Sequence, residues 1–303
     1  MTAAVYGRPP ADLVELPPGA VQLSPLIPGS VALEDSPDGS LDAVVMLAPP
    51  GAVERRFGLA HALRALRPGG MLTALAPKDR GGARLRGELK AFGCTAEETA
   101  KRHHRICVVQ RPVVVTGLDA ALAAGALQQV AALGLWSQPG VFSWDRIDPG
   151  SALLLAHLPP LAGRGADLGA GLGVLARRVL ESPNVTALML VDIDRRAVAA
   201  ARRNVEDPRA AFVWADVRAA DPGVEAATLD FVVMNPPFHD AGAEDRALGQ
   251  AFIRRAAALL RRGGVCWLTA NRHLPYEKVL GECFAQCAVR AEAAGYKIVE
   301  AKR

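Results

Sequence analysis

Apolar residues in the second half of the chain fall into two alternating patterns. Short continuous apolar runs predict strands, whereas apolar residues spaced three and four positions apart predict helices. The strands are predicted at 164–168, 187–193, 210–215, 229–234 and 265–270, and the helices at 174–180, 195–205 and 246–260. This alternation favours a doubly wound α/β fold with a mostly parallel sheet, in which the continuously apolar run 229–234 is central. Residues 288–301 predict a final antiparallel strand pair.

The first part of the chain repeats this pattern. The segment LDAVVMLAPP at 41–50 matches LDFVVMNPPF at 229–238, and each is followed by a helical pattern closed by a Gly-Gly pair and then by a strand. Three matching segments in the same order indicate a duplication. We therefore predict two copies of one α/β unit, at 1–111 and 151–303, joined through 112–150 by a mostly helical linker and a loop.

Composition and charge exclude several classes of protein. Of 303 residues, 50% are hydrophobic and 22% are charged, which excludes a disordered chain and a coiled coil. A net charge of +4 only weakly favours a polyanionic partner. The most apolar stretch, 113–135, contains Asp119, Gln128 and Gln129, so it does not predict a membrane span, and the N-terminus lacks a signal-peptide pattern. We therefore expect a cytoplasmic protein.

The cysteines do not form a recognisable framework. Five are scattered without a CxxC pair, which fits neither a set of disulfides nor a zinc ribbon. Cys283 and Cys287 lie four residues apart and could share a helix face, but no His or Cys nearby completes a metal site. We therefore expect reduced thiols and no metal.

A glycine-rich segment, DLGAGLG at 167–173, connects the first predicted strand of the second copy to a helix. Gly169 and Gly171 allow the backbone to approach a ligand closely, and the following helix start favours a polar or anionic group. A tight strand-to-helix turn without any ligand also uses glycine, so this segment alone is weak evidence.

An acidic residue lies at or near the end of each of the first three strands of the second copy. Asp192 follows Asp167 at the separation at which nucleoside-binding folds place an acid on the ribose hydroxyls. Asp194 is expected to cap the next helix. Asp216 could accept a hydrogen bond from an adenine amine, or it could serve a turn. Together these acids favour a nucleoside-containing ligand at the carboxyl ends of the strands.

The fourth strand leads into Asn235, Pro236, Pro237, Phe238 and His239, which is the most informative segment. The prolines fix the backbone and donate no hydrogen bonds, so the Asn235 side chain and the Pro236 carbonyl are held as acceptors. Two acceptors that bind both hydrogens of an amine would free its lone pair for attack on an electrophilic methyl group. Phe238 offers a flat surface on which a planar base could stack. A merely rigid turn is the alternative interpretation.

The first copy lacks this chemistry. Leu47, Ala48 and Pro49 stand at the positions equivalent to 235–237, so the acceptor is missing and we predict that this copy is catalytically inactive. A basic run near its end could attract phosphate or could be a solvated strand edge. The run consists of Lys101, Arg102, His103, His104 and Arg105.

The motifs resemble those of a known family. DLGAGLG, the acids at 192 and 216, and NPPF resemble the pattern of class I S-adenosylmethionine-dependent methyltransferases that act on planar amino groups. The segments PGVFSWDRIDPGSALLLAHL, NPPFHD and TANRHLPYEKVL are similar to ribosomal RNA small subunit methyltransferase C and its large-subunit relative. The resemblance implies two tandem Rossmann-like methyltransferase domains, of which the N-terminal one is degenerate, and guanine-N2 methylation of ribosomal RNA.

The resemblance also implies roles for individual residues. The methionine moiety of S-adenosylmethionine would lie at Asp167, Gly169 and Gly171, its ribose at Asp192 and its adenine at Asp216, with Phe142 as a lid. The target amine would be held by Asn235 and Pro236, with Phe238 stacked on guanine and His239 near the base or the cofactor. The expected partner is ribosomal RNA or the small ribosomal subunit, without a membrane or a metal, and the expected oligomeric state is a monomer.

Two other hypotheses remain open at this stage. Methyltransferases with the same loop also modify glutamine side chains of proteins or adenine-N6 of nucleic acid, but they usually carry Tyr where this chain has Phe238. A non-enzymatic RNA-binding protein is the third possibility, because one copy has already lost its site. The combination of Asn235 with the glycine-rich segment argues against it.

Overall fold

The chain forms two α/β units. The computed structural model describes residues 2–219, 226–237, 239–240, 243–244 and 246–303, with the backbone alone at 239–240, 243–244 and 246. One unit contains Met1–Leu127 and Gln138–Gly140, and the other contains Gln128–Ser137 and Val141–Arg303. The predicted linker, 112–150, is therefore shared between the two units.

The first unit is built on a six-stranded sheet with the order β2-β1-β3-β4-β6-β5. Its strands are β1 (Ala3–Tyr6), β2 (Val21–Gln22), β3 (Leu41–Leu47), β4 (Leu66–Pro77), β5 (Ala96–Lys101) and β6 (His104–Gln110), and its helices are α1 (Ala52–Ala65), α2 (Ala83–Ala91) and α3 (Leu118–Gly125). Strands β2, β1, β3 and β4 are parallel, and β6 and β5 continue the sheet in antiparallel pairs.

The second unit is built on a seven-stranded sheet with the order β11-β10-β9-β12-β15-β17-β16. Its strands are β7 (Gln128–Val130), β8 (Leu135–Ser137), β9 (Gly163–Leu168), β10 (Val185–Asp192), β11 (Ala210–Trp214), β12 (Leu229–Met234), β13 (His239–Asp240), β14 (Ala243–Glu244), β15 (Leu260–Asn271), β16 (Gln286–Ala293) and β17 (Tyr296–Lys302). Its helices are α4 (Pro149–His157), α5 (Val174–Leu180), α6 (Arg195–Asn204), α7 (Arg246–Leu259) and α8 (Glu277–Cys283). The five strands from β11 to β15 are parallel, and β17 and β16 are antiparallel. The predicted fold class is confirmed.

Strand β12 lies in the middle of this sheet, as its continuous apolar run predicted. Val232 and Met234 pack into one hydrophobic cluster, whereas Phe231 and Val233 pack into another. Successive side chains of a strand point to opposite faces, so the two clusters cover the two faces of the sheet. The burial of both faces fixes the register of β12 and hence the position of the residues that follow it.

In both copies, the Gly-Gly pair was wrongly predicted to close a helix. Helix α7 ends at Leu259, and Gly263 and Gly264 lie inside β15, where the pairing with β12 shifts between Leu229 and Phe231. The same shift occurs in β4, which contains the other Gly-Gly pair. Glycine is needed at these positions because a Cβ at Gly264 would lie 3.0 Å from the carbonyl oxygen of Leu229. The glycines therefore accommodate an irregular strand and do not end a helix.

The linker is less helical than predicted. Only α3 is helical between 112 and 137, and the rest includes an antiparallel hairpin of β7 and β8. The hairpin is attached to α6, because the Trp136 backbone N–H donates to Asn204 and the Asn204 amide donates back to the Trp136 carbonyl, at 2.7 and 2.9 Å. These contacts join segments far apart in sequence, so local helix propensity did not decide the conformation.

Candidate active site

Three adjacent parallel strands bring the predicted site residues to one edge of the second sheet. Strand β9 lies between β10 and β12, and all three run in the same direction. Asp192 is the last residue of β10, and Asn235 follows the last residue of β12. The glycine-rich segment follows β9 between them. The candidate site therefore lies at the carboxyl ends of the strands, where open α/β sheets bind ligands.

The glycine-rich segment forms a turn that is tied to β10. Gly169 and Gly171 adopt φ angles of +74° and +54°, which are left-handed and strained for other residues. The Asp192 carboxylate accepts a hydrogen bond from the Gly171 backbone N–H at 2.8 Å and another from the Asp194 N–H at 2.8 Å. A Cβ at Gly171 would meet no atom within 4 Å, so there is open space beside this backbone. The turn therefore leaves room for a ligand at its surface.

Asp167 is a buried carboxyl group whose oxygens make no hydrogen bond of good geometry with the described residues. Its exposed fraction is 0%. Burial raises the pKa of Asp167 to about 8, the charge of Asp192 adds to this rise, and the nearby Ala176 backbone N–H opposes it. Burial also raises the pKa of Asp192 to about 6, although hydrogen bonds from Asp194 and Gly171 oppose this rise. A buried carboxyl group that is poorly satisfied by the protein, next to a second acid, is typical of a ligand-binding site.

The other two predicted acids are already engaged within the protein. Asp194 caps α6 by accepting from the Arg196 backbone N–H at 2.9 Å, which confirms its predicted role. Asp216 follows β11, and its two oxygens accept from the Arg218 guanidinium at 2.8 to 3.1 Å. An adenine amine at Asp216 would therefore share this carboxylate with Arg218.

The Asn235 amide is held in one orientation. Its Nδ2 donates to the Asp148 carboxylate at 2.8 Å and to the Ser151 hydroxyl at 2.9 Å. Within the described parts of the chain, no group donates to its oxygen Oδ1, which faces away from these two partners. The next residue, Pro236, is buried and fixes the backbone that follows. This amide therefore presents a hydrogen-bond acceptor from a rigid base.

Sequence reasoning missed both residues that hold Asn235. Asp148 and Ser151 precede it by 87 and 84 positions. The available signal was the segment Asp148-Pro149-Gly150-Ser151, because Asp before a proline is a common helix start. That signal predicts α4, but it does not indicate what the cap residue contacts in the folded chain.

Comparisons with known proteins agree with this geometry. The family profile of the methyltransferase small domain matches residues 132–300. Ribosomal RNA small subunit methyltransferase C of Pseudomonas paraeruginosa is 34% identical over 93% of this chain and 86% of its own length, and that of Pseudomonas fluorescens is 32% identical over 89% and 81%. The chain belongs to the ribosomal RNA small subunit methyltransferase C family. The resemblance inferred from the sequence is thereby confirmed.

A solved structure extends the similarity to the whole chain. The T. thermophilus 16S rRNA N2 G1207 methyltransferase, in complex with AdoMet and guanosine, aligns with a TM-score of 0.82 and 27% sequence identity. The alignment covers 100% of this chain and 88% of that one. This member of the methyltransferase C family therefore shares the two-unit architecture throughout its length.

Among Phe142, Phe238 and His239, only Phe142 has a side chain that the structure describes. Phe142 is 61% exposed in the segment before α4, and its role as a lid stays a prediction. Phe238 lies outside the described residues. The backbone of His239 pairs with Glu244 in a short hairpin, and its side chain lies outside the described part of the chain.

The basic run is partly neutralised by neighbours in the first unit. Arg102 forms an ion pair with Asp12, and Arg105 forms one with Glu98 at 3.5 Å. The Lys101 ammonium donates to the Asp12 carbonyl. The RNA-binding role of this run stays a prediction, and its free charge is smaller than the sequence suggests.

The cysteines form no disulfide, and the described helices include no membrane span. All five cysteines are free: Cys94, Cys107 and Cys266 are buried, Cys283 is half-buried and Cys287 is exposed. No cluster of three or more metal-ligating side chains occurs among the described residues. Within the same residues, every helix is too short or too polar to cross a bilayer.

Proposed function

We propose that this chain transfers a methyl group from S-adenosylmethionine to the exocyclic N2 amine of a guanine in 16S ribosomal RNA. The observation that carries the proposal is the Asn235 amide, whose nitrogen is engaged by Asp148 and Ser151 so that its oxygen is left to accept from a substrate amine. Membership of the methyltransferase C family supports the enzyme class, and the relative solved with AdoMet and guanosine supports the cofactor and the base.

The residues at the ends of β9 and β10 fit the cofactor. The buried carboxyl group of Asp167, which makes no hydrogen bond of good geometry with the described residues, suits the ammonium of the methionine moiety. The open space beside Gly171 suits a ligand that lies against the backbone. Asp192 would accept from the ribose hydroxyls, and Asp216 would accept from the adenine amine while it keeps its contact with Arg218. The bound cofactor supplies an electrophilic methyl group on a sulfonium centre.

Asn235 and Pro236 would orient the amine and localise its lone pair. The exocyclic amine of guanine is neutral, and its lone pair is delocalised into the ring, so it is a poor nucleophile until it becomes more tetrahedral. Fixed acceptors for both hydrogens bind that geometry better than the planar ground state. One preorganised polar group of this kind contributes on the order of 3 kcal/mol to catalysis. Phe238 would stack on the base, and His239 would lie near the base or the cofactor.

The first unit has a non-catalytic role in this proposal. Residues 1–111 would support folding and recruit RNA, residues 112–150 would carry the linker and the lid segment, and residues 151–303 would bind the cofactor and perform the chemistry. This assignment rests on the lack of an Asn235 equivalent, since Leu47 stands at that position in the first unit.

Methyl transfer from labelled S-adenosylmethionine tests the proposal directly. The purified protein is incubated with unmodified 16S rRNA and with small ribosomal subunits, and the digested nucleosides are analysed by mass spectrometry. We expect N2-methylguanosine with the parental protein and a fall in kcat of about 100-fold or more for Asn235→Ala, with nearly unchanged cofactor affinity. A methylated adenosine, a methylated protein, or full activity of Asn235→Ala would contradict the proposal.

A further inference from the structure

The two ends of an amide group have the same shape but opposite hydrogen-bonding character. The oxygen accepts, whereas the nitrogen donates two hydrogens. An Asn235 side chain turned by 180° would fill the same space, yet it would present a donor to the substrate amine and could not bind its hydrogens. The proposed function of Asn235 therefore requires a device that selects one of the two orientations.

We propose that Asp148 and Ser151 are positioning residues that fix the orientation of the Asn235 amide, an inference that rests on the proposed function of Asn235. The Asp148 carboxylate only accepts hydrogen bonds, and it lies 2.8 Å from Nδ2. If the amide were reversed, the Asn235 oxygen would face this carboxylate at hydrogen-bonding distance and would be repelled. The Ser151 hydroxyl accepts the second hydrogen at 2.9 Å, so both donors of the amide are engaged.

The start of α4 holds this pair of acceptors in place. Asp148 is the N-cap residue, and the same oxygen that binds Asn235 also accepts from the Ser151 backbone N–H at 3.0 Å. Pro149 follows at the first helical position, where its fixed φ suits a helix start. Gly150 has no room for a side chain, since a Cβ there would lie 2.7 Å from the Tyr296 ring and 3.0 Å from the bound oxygen of Asp148. The helix start is therefore packed against β17 around the carboxylate.

Asp148→Gly separates the orienting role from the capping role. Glycine is tolerated at N-caps nearly as well as Asp, so the fold and α4 are expected to persist. It has no side chain to accept from Nδ2, so it no longer discriminates between the two orientations of Asn235. We expect kcat to fall about 10- to 100-fold, which is the range for one hydrogen bond to a charged group, with unchanged cofactor Kd and RNA KM. Ser151→Ala is expected to lower kcat about 3- to 10-fold.

Asp145→Gly is the matched control. Asp145 is an exposed acid of the same loop and pairs with the neighbouring Arg146 at 3.0 Å. Its replacement removes the same charge three positions away and is expected to leave kcat unchanged. An equal fall in kcat for Asp145→Gly and Asp148→Gly would mean that only the charge of the loop matters, and it would overturn the inference.

A double-mutant cycle tells the failure of this inference from the failure of the proposed function. If Asp148 acts through Asn235, Asp148→Gly costs nothing further in the Asn235→Ala background. If Asn235→Ala alone keeps parental activity, the proposed function of Asn235 fails. If Asn235→Ala is impaired but Asp148→Gly is fully active, or lowers kcat equally in both backgrounds, only the orienting role fails.

Removal of a like charge provides a rescue test. A carboxylate at 235 could still accept both amine hydrogens, but Asn235→Asp would place it against Asp148, and like charges would force it out of position. Adding Asp148→Gly removes the opposing charge, so we expect the double variant to exceed Asn235→Asp in kcat by about 10-fold. A double variant that is no more active than Asn235→Asp would contradict the proposed contact.

Discussion

The same strand-and-turn unit occurs in both halves of the molecule, with opposite use of its polar groups. In the second unit, β12 leads into Asn235, whose amide donates to Asp148 and Ser151 at the start of α4. In the first unit, β3 leads into Ala48-Pro49-Pro50, and a buried guanidinium occupies the turn: Arg55 donates to the carbonyls of Pro49 and Pro50 at 3.1 and 2.7 Å. No described donor reaches the Asn235 oxygen in the first case, whereas in the second the carbonyls of the turn are bound within the protein.

Strands β1 and β2 of the first unit also differ from β9 and β10 of the second in the residues that follow them. Strand β9 continues into the glycine-rich turn, and β10 ends on Asp192. Strand β1 continues into Gly7-Arg8-Pro9-Pro10, no helix intervenes before β2, and β2 has two residues. The glycine-rich turn and the acid of the second unit have no counterpart after β1 and β2. The strands β2-β1-β3-β4-β6-β5 have the same order as β10-β9-β12-β15-β17-β16, so the two units share most of their sheet and differ in the residues at the strand ends.

Arg55 fills the turn that follows β3 in the first unit. Its exposed fraction is 1%, and its guanidinium also binds Glu88 through two hydrogen bonds of 2.7 Å. A Cβ at Gly81 would lie 2.1 Å from this guanidinium, so the surrounding chain is closely packed against it. We infer that the turn of the first unit serves stability.

The largest expected effect is on cofactor binding, which we expect in the second unit only. The parental chain is expected to bind one S-adenosylmethionine, and Gly171→Trp combined with Asp192→Ala is expected to weaken binding by at least about 1,000-fold, because the indole fills the open space beside the turn. Isothermal titration calorimetry measures both stoichiometry and Kd. Gly134→Trp is the control, since Gly134 also has a positive φ of +62° and open space around it. Two sites per chain would break the comparison.

The next effect tests the buried ion pair of the first unit. Arg55→Leu leaves Glu88 without its partner, and such a loss costs about 3–5 kcal/mol. Arg67→Leu removes a solvent-exposed pair with Asp42 in the same unit and is expected to cost at most about 1 kcal/mol. Urea denaturation measures both, and cofactor Kd is expected to stay unchanged in both. Equal effects of the two variants would contradict the structural role of Arg55.

A rise in pH is expected to lower the stability of the second unit and to raise that of the first. The folded state keeps a proton on Asp167 up to its pKa of about 8, whereas the unfolded state releases it near 3.8, so the cofactor-free protein loses stability as pH rises through this window. The slope is at most about 1.4 kcal/mol per pH unit. Thermal denaturation from pH 5 to 8 measures this loss, and Asp167→Asn is expected to remove most of it; an unchanged slope in that variant contradicts the assignment.

In the first unit, burial lowers the pKa of His61, so the unfolded state binds a proton more readily than the folded state. The contribution of His61 to stability is therefore present above about pH 6.5 and is lost as the pH falls. Denaturation of a His61→Phe variant checks this sign.

The smallest expected effect concerns the basic run. Replacing Lys101, Arg102 and Arg105 by Gln is expected to raise the RNA KM only a few-fold and to reduce its salt dependence, because Asp12 and Glu98 already offset part of the charge. Methylation kinetics at two salt concentrations measure this effect, with cofactor affinity as the internal control. An RNA KM that does not change would contradict a role of this basic run in RNA recruitment.

Sequence patterns predicted the second unit closely because its elements are decided locally. The helix at Val174–Leu180 and the strand at Leu229–Met234 have the predicted bounds, since apolar periodicity and burial on both faces determine them. The hairpin of β7 and β8 was missed because contacts with α6 stabilise it. The partners of Asn235 were missed for the same reason, as one hydrogen bond spans 87 positions. Local patterns therefore predicted that Asp167, Asp192 and Asn235 lie at strand ends, and they did not indicate the residues that Asn235 contacts.

The unpaired thiols bear on how the protein responds to oxidants. Burial raises the pKa of every cysteine above its ordinary value, to about 11 for Cys107, and even the exposed Cys287 shares this direction. The thiolate is the form that reacts with peroxides and disulfides, so little of it is present at neutral pH. These thiols are therefore expected to react slowly with peroxides and disulfides at neutral pH.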